Sequence, residues 1–386
     1  MKRSPQWLSM PADFSPRTLD AYALLNKKYG HLRVAETYGN LNPGHPLLGT
    51  GRTEGGLPRV NPEQLRKTIE HGKSLGIGFN YTLNSRCTGN LEFGMKGRQE
   101  LLSHVEELMR LGVGTITVAL PSVLRLLRAQ FPELRLCVSV ITGVRSVKQA
   151  ALYKGMGADR IILAEDIYRD FRLIERIRRG TGIPVELIVN TRCIFQCPYR
   201  KADYGLLAHC AAGRRKLPIH DYYKWLCTEY LFVHPIEFMK MRWIRPEDLA
   251  FYEAVDLFKV IGRQLVADAN LPRVAETYMR GSFDGNLTDL LGTFSPRRLD
   301  FYPVRIENRA LDGFLSFFRE RKCAERACND CRHCAGYLER AVGREDLERL
   351  EVHAREYATA LHRYARDLDL GSVNPTEVAF AMLAGA

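Results

Sequence analysis

Eight of the ten cysteines in this 386-residue chain fall into two clusters in its second half. The first is Cys193-x3-Cys197-x12-Cys210-x16-Cys227, and the second is Cys323-x4-Cys328-x2-Cys331-x2-Cys334. Closely spaced thiols without a secretory leader are expected to bind metal rather than pair as disulfides. In the first cluster the spacing fits four ligands for zinc or for an iron–sulfur cluster and leaves the two open. Cys87 is a rival ligand there, in place of Cys227 or Cys210. In the second cluster Cys328, Cys331 and Cys334 share the interval of ferredoxin-type runs, with Cys323 as the fourth thiolate. A zinc knot that includes His333 is the alternative. Cys137 lies in an apolar run and is expected in the core.

Such ligands need a scaffold. Strand-like apolar runs are expected at 32–38, 77–84, 115–120, 134–140, 160–164, 184–190, 236–242 and 257–262. Several are β-branched and apolar throughout, as parallel strands buried on both faces should be. Amphipathic helices at 62–75, 98–111, 147–156 and 171–179 separate them, the first opened by Asn61-Pro62. Eight strands with following helices predict an α/β protein of the (β/α)8 TIM-barrel type. An open doubly wound sheet is the alternative, but no GxGxxG follows the first predicted strand. The predicted organisation is an N-terminal extension at 1–30, the barrel at 31–290 with a cysteine-bearing loop at 191–230, and a mostly helical cysteine-rich appendage at 291–386. The hexapeptide Arg-Val-Ala-Glu-Thr-Tyr occurs at 33–38 and again at 273–278. One short match does not establish a repeat.

Barrel enzymes work at the C-terminal ends of their strands. Cys193 and Cys197 follow the predicted strand 184–190 directly, which puts them at that rim. The polar residues expected there are Glu36, Tyr38, Asn84, Arg86, Glu165, Asp166, Asn190, Arg192, Arg242, Arg245, Lys259 and Arg263. Asn84, Glu165, Asn190, Arg242, Arg245 and Arg263 are the catalytic candidates. Arginines gathered at one mouth suit a carboxylate or phosphate, although rim carboxylates such as Glu247 and Asp248 offer ordinary ion pairs instead. His209 and His234 are acid–base groups in reach only if the loops bring them in.

The net charge is +12. It fits a generally basic surface, an RNA partner or a small anionic substrate equally well. The first twenty residues lack the apolar run of a signal peptide, and no stretch is long and apolar enough to span a bilayer. A cytoplasmic protein with no membrane partner is expected.

The segment 186–197, with its strand-then-cysteine loop, resembles the U-thirty-two peptidase family (the collagenase-like peptidases). So do Trp243-Ile-Arg-Pro-Glu-Asp-Leu and Phe258-Lys259-Val-Ile-Gly262-Arg263, the latter similar to that family's KI-x-GR strand ending. The resemblance covers roughly residues 77 to 265. It implies a barrel carrying a 4Fe-4S cluster on four cysteines. The better understood members are oxygen-independent hydroxylases of ubiquinone biosynthesis and of tRNA uridine, the latter with prephenate implied as oxygen donor. The cysteine spacing at 193–227 differs from that of the tRNA enzymes, and the second cluster is additional.

Three functions compete. The first is iron–sulfur hydroxylation or related redox chemistry on an anionic or aromatic metabolite or an RNA base, fed by an electron-donor protein. The second is a metal-dependent peptidase or hydrolase, for which no HExxH is present. The third is RNA binding with structural metal sites, hinted at by Tyr199-Arg200-Lys201 and Tyr222-Tyr223-Lys224.

Overall fold

The computed structural model describes residues 6–41, 45, 47–52, 57–211, 222–297, 303–320, 323 and 330–367. Eight parallel strands close into a barrel: β1 (Gln6–Pro11), β2 (Leu32–Gly39), β3 (Gly78–Leu83), β4 (Thr115–Val118), β5 (Arg135–Val138), β6 (Arg160–Ile162), β7 (Val185–Ile188) and β8 (Leu257–Lys259). Pairing of Trp7 with Leu257 joins β1 to β8 and completes the ring. The helices between strands are α1 (Pro16–Lys28), α2 (Pro62–Ser74), α3 (Met95–Arg110), α4 (Pro121–Gln130), α5 (Val147–Gly155) and α6 (Phe171–Thr181). An insertion of α7 (Arg200–Ala211), α8 (Tyr222–Val233) and α9 (Ile236–Lys240) separates β7 from β8, and α10 (Leu271–Arg280) follows β8.

The predicted fold is therefore present, with two corrections to its parts. β1 lies inside the stretch expected to be an extension. Its sequence Gln-Trp-Leu-Ser-Met-Pro has no β-branched residue, so strand propensity does not reveal it. Gln6 fixes it by donating through Nε2 to the carbonyls of Tyr252 and Val255 at 2.8 and 2.9 Å. The predicted strand at 236–242 is instead the helix α9 and the turn after it. Short apolar runs do not declare their period, and Pro235 pre-sets the helical φ just before this one.

The barrel interior is polar at its centre. Arg160 on β6 reaches Glu36 on β2 at 2.7 Å and Glu186 on β7 at 2.9 Å. Ser9 and Asn80 also donate to Glu36, at 2.8 and 3.1 Å. Lys259 Nζ lies 3.4 Å from Glu186 and 3.5 Å from the ring centre of Tyr38. Burial pushes the Glu36 carboxyl up, but Arg160 and Lys259 outweigh it and hold it below the ordinary range. Cys137 on β5 is buried beside this network, and its thiol is pushed up to about 11 by burial, as a core residue's should be.

The repeated hexapeptide is a strand at 33–38 within β2 and a helix at 273–278 within α10. Pro272 and the Asn270 cap, which accepts from Arg273 N at 3.1 Å, commit the second copy to a helix. The C-terminal region continues with α11 (Leu287–Leu291), α12 (Ser316–Glu320), α13 (His333–Ala341) and α14 (Arg344–Asp367). α14 packs on α8 and α13 on α9, so these two helices of the appendage hold the insertion. Among the described residues no helix is long and apolar enough to cross a membrane.

Candidate active site at the barrel mouth

The C-terminal ends of the strands open into a cavity of about 240 Å³. Its floor is the barrel's polar centre, through Tyr38, Thr82, Thr117 and Lys259, and its side is the loop after β7 together with α7 and α8. That loop is held by the turn after β6. Thr191 donates to Glu165 at 2.6 Å, and Gln196 N donates to Asp166 at 3.0 Å. Arg200 bonds both Asp166, at 3.1 Å, and the Ile194 carbonyl, at 2.9 Å. These contacts aim Cys193 and Cys197 inward, and Cys227 on α8 closes the same side.

The cavity carries six basic side chains (Arg52, Arg192, Arg200, Lys224, Lys259 and Arg263) against two acidic ones, Glu165 and Asp203. Arg263 is the most telling. It is 7% exposed, and its guanidinium donates to Thr82 Oγ1 at 2.6 Å, to Thr50 Oγ1 at 2.8 Å and to Asn40. All three partners are neutral, and no carboxylate among the described residues pairs with it. Burial pulls its pKa down to about 10, with Arg52 adding to the fall. Gly262, at φ +135°, makes the turn that sends Arg263 back under the mouth, a conformation that favours glycine.

The three thiols are electrostatically distinct. Burial first, then Glu165, pushes Cys193 well above the ordinary thiol range. Cys197 is lowered to about 7, chiefly by the hydrogen bond from Cys227 and helped by the Tyr199 and Arg200 amides and the Arg200 charge. Cys227, as the donor of that bond, moves up. One proton shared between neighbouring sulfurs beside an arginine is a setting that favours thiolate ligands. Among the described residues no three His, Cys, Asp or Glu side chains stand gathered closely enough to hold a metal ion as they are. A centre here would draw the sulfurs together on binding.

An uncharacterized protease of Methanocaldococcus jannaschii is 30% identical over 298 residues, which cover 77% of this chain and 86% of that protein. The model of peptidase family U32 matches residues 59–197, from just before α2 to Cys197. The chain belongs to peptidase family U32. A solved U32 peptidase is 17% identical, with a TM-score of 0.49, over 68% of this chain and 94% of that one. The family match thus ends on the cysteine loop, while the insertion and appendage of this U32 protein lie beyond it.

Of the predicted site residues, the structure brings Asn84, Glu165, Cys193, Cys197, Cys227 and Arg263 to the cavity. Asn84 accepts from Thr50 at 2.9 Å and Gly51 N at 3.1 Å, fixing the loop after β2. Asn190 is elsewhere: its amide clamps Ile261 from both sides, at 2.7 Å each, and donates to the Leu291 carbonyl at 3.0 Å. Arg245 is also elsewhere, buried in a two-pronged pair with Asp248 at 2.7 and 3.1 Å and tied to Asp312 at 3.0 Å. Arg242 follows α9 rather than a strand and borders a second pocket, with Cys323, Cys331, His333 and Cys334. Cys87, after β3, and Cys210, in the last turn of α7, are not among the described residues lining the mouth. Cys328 lies outside the described residues. The sequence reading missed Arg52 and Tyr204, and it named Arg200 only as an RNA hint. The glycine-rich loop after β2 and the basic residues following Cys197 were the signals for the two arginines.

Proposed function

We propose that this U32 protein is an iron–sulfur enzyme acting on an anionic, planar substrate at the barrel mouth. The observation that supports it is the convergence of Cys193, Cys197 and Cys227 on a cavity whose buried Arg263 has only neutral partners. Cys193, Cys197 and Cys227 would hold the cluster. When bound, it would supply one-electron redox chemistry, drawing on an external electron-donor protein. Arg263 would take the substrate's carboxylate or phosphate in a forked pair, since a buried guanidinium without a counter-charge gains most from an anion. Tyr199 and Tyr223, stacked with centroids 6.2 Å apart, border the same space and offer faces to an aromatic ring or a base. Lys259, buried against Tyr38 and Glu186, would hold a proton at the cavity floor. Oxygen-independent hydroxylation fits these parts, with a hydroxyl-bearing co-substrate giving its oxygen to the substrate and taking the substrate's hydrogen in exchange.

The peptidase reading follows from the relatives' names. A thiol peptidase needs a base beside its nucleophile. Cys197 has the acidity, but no histidine is among the described residues lining the cavity.

Anaerobic protein reduced with dithionite tests the choice. A shift of its visible spectrum on adding aromatic carboxylic acids or single-stranded RNA, with the protein still reduced, is the expected result. Peptide cleavage by metal-free protein, with no spectral response to either, would overturn the proposal.

A further inference from the structure

Directly behind the cysteine loop lies the second pocket, of about 30 Å³, bordered by Cys323, Cys331, Cys334 and His333. That volume suits one or two waters, at roughly 10–15 Å³ each, and so a single ion rather than a four-iron cube. His333 Nε2 lies 3.0 Å from the Phe314 carbonyl oxygen. A carbonyl only accepts, so Nε2 carries the hydrogen and Nδ1 keeps the lone pair. A metal-ligating histidine is commonly prepared in this way, donating one nitrogen to the backbone and offering the other. The rings of Phe314 and Phe317 stack on the imidazole at 13° and 11° and fix its plane.

The pocket is also built for thiolates. Arg242 hydrogen-bonds to Cys323 and feels Cys334. Arg169, buried against Trp243, Phe314 and Phe318, feels both of the same sulfurs. Neither arginine makes a salt bridge among the described residues, although Asp166 acts on Arg242 and Asp248 on Arg169 from farther off. Two buried cations with no carboxylate in contact are costly unless something closer is negative. Three thiolates around a divalent ion leave one net negative charge, which the guanidiniums would offset.

The geometry points to a closed zinc-class site made by Cys323, Cys331, Cys334 and His333, with Arg242 and Arg169 as counter-charges. Three thiolates and one imidazole are a familiar tetrahedral zinc set. Binding would release the three thiol protons to solvent and draw the sulfurs inward, coupling metal to local folding. This inference goes beyond the barrel-mouth reading and does not rest on it.

Metal analysis of the full chain tests it. Cys331→Ser, Cys334→Ser and His333→Gln should each lose close to one zinc per chain while iron and sulfide are unchanged. Cys193→Ser should show the reverse. Arg242→Gln should weaken zinc retention against a chelator about 10–100-fold, and Arg242→Lys much less. Zinc should raise the melting temperature of the unaltered protein but not of Cys331→Ser, while the two metal-free proteins melt together. Zinc retained in all three ligand variants, or loss of iron and sulfide instead of zinc, would overturn the site.

Discussion

The Phe195 ring centre lies 3.6 Å from the guanidinium carbon of Arg242. Phe195 sits between Cys193 and Cys197, and Arg242 borders the pocket of Cys323, Cys331 and Cys334. This contact joins the cysteine loop after β7 to the pocket of the second cysteine cluster. A desolvated cation–π pair is worth up to about 2 kcal/mol. Phe195→Leu should therefore cost about 1–2 kcal/mol in urea denaturation, and the double variant with Arg242→Met should cost less than the sum of the two singles. Additive losses would show the contact to be incidental.

Of the three arginines among the catalytic candidates, Arg242, Arg245 and Arg263, only Arg263 is among the described residues lining the mouth. Arg263→Lys should weaken binding of inorganic phosphate or an aromatic carboxylate about tenfold or more, because an ammonium cannot form the two-pronged bond. Arg245→Lys should leave that affinity unchanged, since Arg245 spends its donors on Asp248 and Asp312. Calorimetric titration of both variants checks the contrast.

The charges inside the barrel predict acid sensitivity. Glu36 has a folded pKa below its ordinary value, so the stability it contributes is fully present above about pH 4.3, its unfolded pKa, and is lost as pH falls through the folded one. Glu36→Gln should flatten the fall in stability below pH 5, measured by denaturant melts at stepped pH. At neutral pH, Arg160→Met should cost about 3–5 kcal/mol, because it strands Glu36 and Glu186 in the barrel centre. A loss under 1 kcal/mol would mean water already reaches them.

The sequence showed the barrel through its buried parallel strands, short apolar runs that alternate with amphipathic helices. β1 was missed because its six residues include no β-branched one, and 236–242 was misassigned because seven residues carry too little periodicity to choose between strand and helix. The hexapeptide shared by β2 and α10 makes the point within a single chain, since flanking residues and packing decide its state. At the site, Cys193, Cys197 and Arg263 were legible because each sits at a strand end or just past one. Asn190, Arg242 and Arg245 looked equivalent in sequence, but distant partners draw them elsewhere: Ile261 and Leu291 for Asn190, Phe195 and Cys323 for Arg242, and Asp312 beside the local Asp248 for Arg245. The interior network of Arg160 and Glu186 was not legible either, because a charged residue in a short strand reads as exposed until the ring closes around it.

Iron and acid-labile sulfide, measured in anaerobically prepared protein and in its single cysteine variants, test the central claim most directly. The unaltered protein should be brown, absorb near 400 nm as thiolate-ligated clusters do, and contain both elements. Cys193→Ser, Cys197→Ser and Cys227→Ser should lose them, while Cys137→Ser keeps them. Colourless protein without iron or sulfide, or a Cys197→Ser variant with its full complement, would contradict the account.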